Sequence, residues 1–273
     1  MSIVIDDKKI TDINISNKNV QKIVDIFTNK IIFEKTKPST IQYFYIEDLS
    51  GEDNTIILRK SYTEAPTVTL EYSKDETNWS VWGQTANDDN LTLSLQANSK
   101  IYFRGTNNVF SNGGQYNYFR CTGKFGVGGD VTTLIEPSGN VLDLSGRDYV
   151  FKGLFFVMWG SQRYLVSASD LLLPSTTLSN GCYNRMFMND SLLSTSPVLP
   201  ASILTPYCYE MMYFGCGSLS VITTYADDIS ATDCLGNWVE DVAPTGTFYN
   251  YGSAEYRVDD VYGIPPGWTE VKN

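Results

Sequence analysis

The chain has 273 residues, 42% of them hydrophobic and 13% aromatic, with a charged fraction of 19% and a formal net charge of -11. It can bury a substantial core, its length suits two or three domains, and an acidic chain without a long Lys/Arg run lacks the basic stripe with which nucleic-acid binders neutralise phosphates. Histidine is absent, which removes Ser-His-Asp and Cys-His nucleophilic sites, imidazole acid-base work and the commonest metal ligand, so an enzyme built here would have to run on carboxylates.

Residues 1–38 read as a small N-terminal unit. They lack the basic flank, long apolar run and small-residue cleavage site of a secretory signal. Apolar residues alternate at Ile3 and Ile5 and again at Ile13 and Ile15. The segments Val20-Gln-Lys-Ile-Val-Asp-Ile and Ile31-Ile-Phe predict a hairpin rich in β-branched residues, with a helix over Val20 to Phe33 as the competing reading. Two roles stay open for this unit: a docking or oligomerisation piece, or an extra pair of strands on the next domain. Lys35-Thr-Lys-Pro-Ser-Thr reads as a linker.

Residues 39–125 predict an all-β domain. Short runs of period two, Tyr43 to Ile46, Thr55 to Leu58, Thr67 to Tyr72, Trp79 to Trp82, Leu91 to Leu95, Ile101 to Arg104 and Tyr116 to Thr122, are separated by turn clusters such as Ser50-Gly51 and Asn87-Asp88-Asp89-Asn90. Regular spacing of this kind suggests an immunoglobulin-like β sandwich, with Val68, Leu70 and Tyr72 facing inward. Residues 126–153 follow as a Gly-rich connector. Gly126-Val-Gly-Gly-Asp130 lacks the Gly-Lys-Ser/Thr ending of a phosphate loop and is expected to form a tight β turn.

Residues 154–242 repeat themselves. Leu172 to Leu193 superposes on Val198 to Leu219 at an offset of 26, aligning Leu178 with Leu204, Cys182-Tyr183 with Cys208-Tyr209 and Met186 with Met212; a further step reaches Cys234 and Trp238. Upstream, at a slightly longer offset, Met158-Trp159 and Leu165 take the places of Met186-Phe187 and Leu193. About three coils of a leucine-rich-repeat-like array are therefore expected. Leu178, Cys182, Tyr183, Met186 and Phe187 fall at helical spacing, which predicts one short helix per coil, and Thr205-Pro206 offers an N-cap followed by proline at the first helical position. The third copy replaces Leu-Pro with Tyr225-Ala-Asp-Asp, the polar reading of a terminal repeat. Residues 243–273 form a C-terminal cap anchored by Phe248 and Trp268. The fold class expected is mainly β with a short α/β solenoid.

The five cysteines, Cys121, Cys182, Cys208, Cys216 and Cys234, read as small buried apolar residues, although the spacing between coils leaves disulfides open. Leu154 to Trp159, the longest apolar run, falls far short of the roughly 20 residues that span a bilayer, so no membrane insertion is expected. Asp88-Asp89, Asp227-Asp228 and Asp259-Asp260 are the carboxylate pairs to weigh for glycan hydrolysis. Adjacent residues in extended chain point to opposite faces, so these read as solvated turns, and no catalytic residue, cofactor site or metal site is assigned. Aromatic stacking offers a better lead. Trp79, Trp82, Tyr164 and Tyr225 are the candidate ligand-binding residues, while Trp159 and Trp238 sit at core positions of the repeat.

The repeat Cys-Tyr-x-x-Met, the segment Gly215-Cys-Gly-Ser-Leu219, the ending Ile264-Pro-Pro-Gly-Trp268 and the upstream Tyr72-Ser-Lys-Asp-Glu-Thr-Asn-Trp79 together resemble the leucine-rich-repeat surface proteins of gut Bacteroidales and the fibre or adhesin-like virion proteins of their phages, including crAss-like phages. That resemblance implies a non-enzymatic phage structural protein of the virion surface, a head or tail fibre or decoration. Its N-terminal segment would dock on other virion proteins, and its repeat domain would bind a host glycan or surface protein. A homotrimer sharing the N-terminal or repeat faces is expected. The alternatives are a bacterial cell-surface adhesin and a carboxylate-based glycan depolymerase.

Overall fold

A computed structural model describes residues 22–25, 30–34, 41–61, 65–84, 90–158 and 161–272. The chain forms two compact units, Met1–Ile41 and Gln42–Asn273. In the first, β1 (Lys22–Asp25) and β2 (Lys30–Glu34) pair antiparallel with a bulge between Ile23 and Val24. The hairpin reading holds there, as the β-branched Ile23, Val24, Ile31 and Ile32 favour. The alternation at Ile3 to Ile15 and the linker at Lys35 lie outside the described residues.

The second unit begins with the strands that period two predicts: β3 (Phe44–Asp48), β4 (Asn54–Lys60), β5 (Thr69–Ser73), β6 (Ser80–Gln84), β7 (Leu91–Leu95), β8 (Lys100–Arg104) and β9 (Asn117–Cys121). Strands β7, β4 and β9 form one sheet, while β3, β8, β5 and β6 belong to a larger one. Alternate residues of each point to a shared interior, where Phe44 meets Phe119 with ring centroids 5.5 Å apart and Phe103 meets Phe119 at the same distance. Val68 and Leu70 are fully buried and Tyr72 is half-buried against the core.

The expected turn at Gly126-Val-Gly-Gly-Asp130 is instead a strand, β10 (Phe125–Asp130), buried along its whole length. It pairs antiparallel with β3 and parallel with β11 (Leu165–Leu172). Its glycines serve close approach rather than turning. A β-carbon on Gly128 would stand 2.3 Å from the Tyr45 ring, and one on Gly129, at φ +72, would stand 1.9 Å from the Tyr43 carbonyl oxygen. Because β10 joins both regions and one continuous apolar core runs from Phe44 to Trp268, residues 126–153 do not separate a sandwich from an array.

Beyond β11 the strands β12 (Val198–Leu199), β13 (Val221–Thr224), β14 (Gly246–Asn250) and β15 (Trp268–Lys272) pair in parallel, each with the next. A bridge between Ser167 and Thr195 links β11 to this ladder. One strand per coil is thus laid beside the last, and the C-terminal segment adds two strands to the same sheet with Phe248 and Trp268 buried beneath them.

The expected helices are absent: among the described residues the only helical element is a 3₁₀ turn at Val131–Leu134, and no helix is long and apolar enough to cross a membrane. Residues 181–189 and 207–215 are instead chains of overlapping turns in which every fourth residue is left-handed: Gly181, Arg185 and Asn189, then Tyr207, Met211 and Gly215. Even-numbered amides bond three residues back, as Asn184 N does to Gly181 O at 3.0 Å and Met186 N to Tyr183 O at 3.2 Å. Odd-numbered amides donate to the next coil, as Tyr183 N does to Cys208 O at 3.1 Å and Phe187 N to Met212 O at 3.0 Å. Backbone donors are satisfied alternately within and between coils. Thr205 accordingly caps no helix; its hydroxyl donates to Ser179 O at 2.8 Å.

The repeat side chains stack as ladders. Phe151, Tyr183 and Tyr209 lie 6.0 and 6.1 Å apart, and Phe155, Phe187 and Tyr213 lie 5.4 and 5.6 Å apart, all within 17° of parallel. The upstream coil therefore places Leu154-Phe155, not Met158-Trp159, opposite Met186-Phe187, with Phe155 N donating to Met186 O at 2.9 Å. Met158 is exposed and Trp159 lies outside the described residues. Leu165 does take the level of Leu193, since Ser194 N donates to Val166 O at 2.9 Å. The offset is 32 at the ribbon level of Phe155 and Phe187 and 28 at the strand level of Leu165 and Leu193, so the upstream coil carries four more residues between ribbon and strand.

Candidate binding face

Of the four aromatic candidates, two are half-buried against the core. Trp82 lies 5.2 Å from Phe103 and 6.3 Å from Phe119, its indole N–H donating to Thr92 O at 3.1 Å. Tyr164 packs against the core, and its hydroxyl donates to the Gln162 side chain. Trp79, just before β6, and Tyr225, just after β13, stand on the outward sides of the six-stranded and four-stranded sheets.

That outward side runs from β8 to β11 in one sheet and from β12 to β15 in the next, the two sheets meeting at the Ser167–Thr195 bridge. Phe44 and Phe103 point in, so Tyr43, Tyr45, Tyr102 and Arg104 point out. The Tyr45 ring lies across Gly128 and its hydroxyl donates to Asp170 Oδ2 on β11 at 3.2 Å. Register then carries the face onward: Val198 is level with Thr223, Thr223 with Tyr249 and Tyr249 with Val271. From β3 to β13 there are four strand spacings, about 19 Å at about 4.8 Å each.

The two ends differ in how far their groups are already occupied. Around Trp79 the Arg104 guanidinium sits 4.1 Å above the ring, Arg104 Nε pairs with Glu71 at 2.7 Å, and Tyr43 meets the indole edge at 4.6 Å. Lys100 lies 3.9 Å above the Tyr45 ring and pairs with Glu47 at 3.0 Å. A cavity of about 380 Å³ beside Lys74, Lys100 and Tyr102 opens onto this same network, where Lys100 is already matched. The aromatic groups here bind their own cations.

The other end is open. Tyr225 is 43% exposed and Tyr251 37%, with ring centroids 5.4 Å apart, and Tyr249 follows at 6.0 Å. Val198, Val221 and Val271 are exposed on the same side. Strands β12, β13 and β14 contain no Asp, Glu, Lys or Arg. Composition could have drawn attention to Tyr249 and Tyr251, which follow the Gly246-Thr-Phe segment, but only the parallel register sets them beside Tyr225.

The carboxylates support turns. Asp227 Oδ1 accepts from the amide and hydroxyl of Ser253, both at 2.8 Å, and Asp228 accepts from Ser230 N at 2.9 Å. These serine hydrogen bonds hold both carboxyls below the ordinary value. Asp259 accepts from Val261 N at 3.0 Å and Tyr262 N at 2.6 Å and pairs with Arg257. Asp88-Asp89 lies outside the described residues. One acid differs: Asp190 is fully buried, its Oδ2 lacks a hydrogen-bond partner, and burial pushes its carboxyl well above the usual range against the lowering pull of Arg163 and Arg120.

All five cysteines are free and buried. Burial raises every thiol, Cys208 to about 12 and Cys234 to about 11. Comparison of the chain with protein families, with curated proteins and with solved structures finds no match.

Proposed function

We propose that the chain is a phage virion surface protein, a head or tail fibre or decoration, that binds the host surface through the outward face of its parallel strands. In finer terms the fold reads as an immunoglobulin-like sandwich continued by leucine-rich-repeat-like coils, with one strand per coil at the offset of the repeat. The observation that carries the binding role is the open cluster of Tyr225, Tyr249 and Tyr251 on a face without Asp, Glu, Lys or Arg in β12 to β14. Exposed aromatics grouped on a rigid sheet are what a recognition surface needs, because little conformational entropy is lost when they are covered.

A glycosidase needs one raised acid within reach of substrate; the surface carboxyls of Asp227 and Asp228 are held low by serine hydrogen bonds and the raised Asp190 is shut in the interior, which supports binding without cleavage. The virion assignment rests on the sequence resemblance of the repeats, of the ending Ile264 to Trp268 and of the segment Tyr72 to Trp79. A homotrimer sharing the N-terminal or repeat faces belongs to the same reading, any repeat contacts lying away from the outward face of β12 to β15. Mass spectrometry of purified virions tests it: stoichiometric peptides of this chain in the particle are expected, and their absence from particles while the chain accumulates on bacterial envelopes would overturn the virion role.

A further inference from the structure

We infer that the ligand of the coil face is an uncharged polysaccharide laid across the strands; this rests on the binding role proposed above. The face offers three kinds of group in register. The rings of Tyr225, Tyr249 and Tyr251 form a platform whose negative π faces suit the positively polarised C–H groups of a sugar ring. Thr223 is level with Tyr249 and Thr247 with Val221, so each of the two neighbouring strands sets a hydroxyl beside the rings. Val198 and Val271 flatten the margins at the level of Tyr249.

Charge decides the class of sugar. The whole chain carries 31 Asp and Glu against 20 Lys and Arg, yet the three central strands carry none of them. The charges that rim the face are already engaged: Asp170 accepts from the Tyr45 hydroxyl, Asp227 from Ser253, and Lys272 pairs with Glu255 at 2.8 Å. An acidic glycan would meet no free cation there while facing the repulsion of the chain as a whole, so neutral chains are favoured.

Size decides against a second protein copy. Only about ten side chains point outward from β12 to β15, whereas a stable protein interface uses about 20–30 residues a side. A narrow, flat, uncharged strip with an aromatic end fits a single polymer chain better than a folded partner.

The test uses the full chain on an array of uncharged and uronate- or sialate-bearing bacterial surface glycans, followed by affinity electrophoresis in the glycans that bind. Binding confined to uncharged glycans is expected, unchanged between low and high salt. Tyr225→Ala with Tyr251→Ala should weaken it at least about tenfold without lowering Tm, while Tyr225→Phe with Tyr251→Phe should keep most of it, since the ring does the stacking. Preference for acidic glycans, with affinity falling as salt rises, would overturn the inference. So would a self-associated species that the double alanine variant splits. If no glycan binds yet host cells are bound through Tyr225 and Tyr251, the ligand is a protein; the inference falls and the proposed function stands. If the chain binds neither glycans nor host cells, both fall.

Discussion

Met211 N donates to Gly236 O in the next coil at 2.8 Å, from a backbone whose φ is +53. A helix would have sent that amide four residues back along its own coil. The left-handed position makes a sharp distinction testable. In a helix interior Ala is more stable than Gly by about 1 kcal/mol. At a left-handed residue the order reverses, because a β-carbon there costs about 1–2 kcal/mol. Chemical denaturation of Met211→Gly and Met211→Ala should therefore show the glycine variant more stable by about 1 kcal/mol, the loss of the methionine side chain being common to both.

Gly129 and Gly146 separate backbone conformation from space. Both have positive φ, +72 and +75, but a β-carbon on Gly129 would stand 1.9 Å from the Tyr43 carbonyl oxygen, while one on Gly146 meets nothing within 4 Å. Gly146→Ala should cost about 1 kcal/mol. Gly129→Ala must also push β10 away from β3 and should cost about 4 kcal/mol or prevent folding. Thermal melts of the two variants check the difference.

The cysteines should be silent in the native protein. Burial raises all five thiols, and the Cys216 thiol donates to Phe187 O at 3.1 Å. Thiolate is the reactive form, so a thiol reagent at neutral pH should label none of the five until denaturant is added, and all five thereafter. Intact mass before and after unfolding reads the count directly.

Asp190 ties stability to pH in the direction opposite to a paired carboxylate. Its folded pKa is raised by burial, so the folded state holds the proton after the unfolded chain has released it. The stability this group contributes is complete below its unfolded value and falls as pH rises above about 4. Asp190→Asn removes that slope. Its Tm should match the native protein at pH about 4 and exceed it at neutral pH by an amount corresponding to about 1 kcal/mol.

Much of this architecture is legible from residue order. Seven strands of the paired sheets emerge from period-two runs because one face of each is buried and the other is not. The offset of 26 marks the coils because each must put like side chains at one level of a ladder. The helices fail for a specific reason: turns that repeat every four residues place Leu178, Cys182 and Met186 inward at a spacing that a helix of 3.6 residues per turn barely differs from over so short a run. The second signal, a glycine or asparagine at every fourth position, is blurred because Arg185, Tyr207 and Met211 also occupy left-handed sites. Gly126 to Asp130 misleads in the other direction. Glycine there makes room for Tyr45 and Tyr43 on a neighbouring strand, and nothing local distinguishes that use from a turn.

The candidate residues divide along the same line. Trp82 and Trp79 share a short segment, yet alternation turns one against the core and the other out beneath Arg104. Tyr225 is visible from its own coil, but its company of Tyr249 and Tyr251 depends on parallel pairing between strands whose register the offset alone does not give.

On the proposed role, the outward face of the coils is the surface that meets the host. Saturation binding of the purified full-length chain to cells of the bacterial host measures this directly, with Tyr225→Ala and Tyr251→Ala combined as the test variant and Val81→Ser, at an exposed site on β6, as the control. Saturable binding that the control retains and the tyrosine variant loses at least about tenfold, with both folded, is the predicted result. No binding by the native chain, or equal binding by the tyrosine variant, would contradict it.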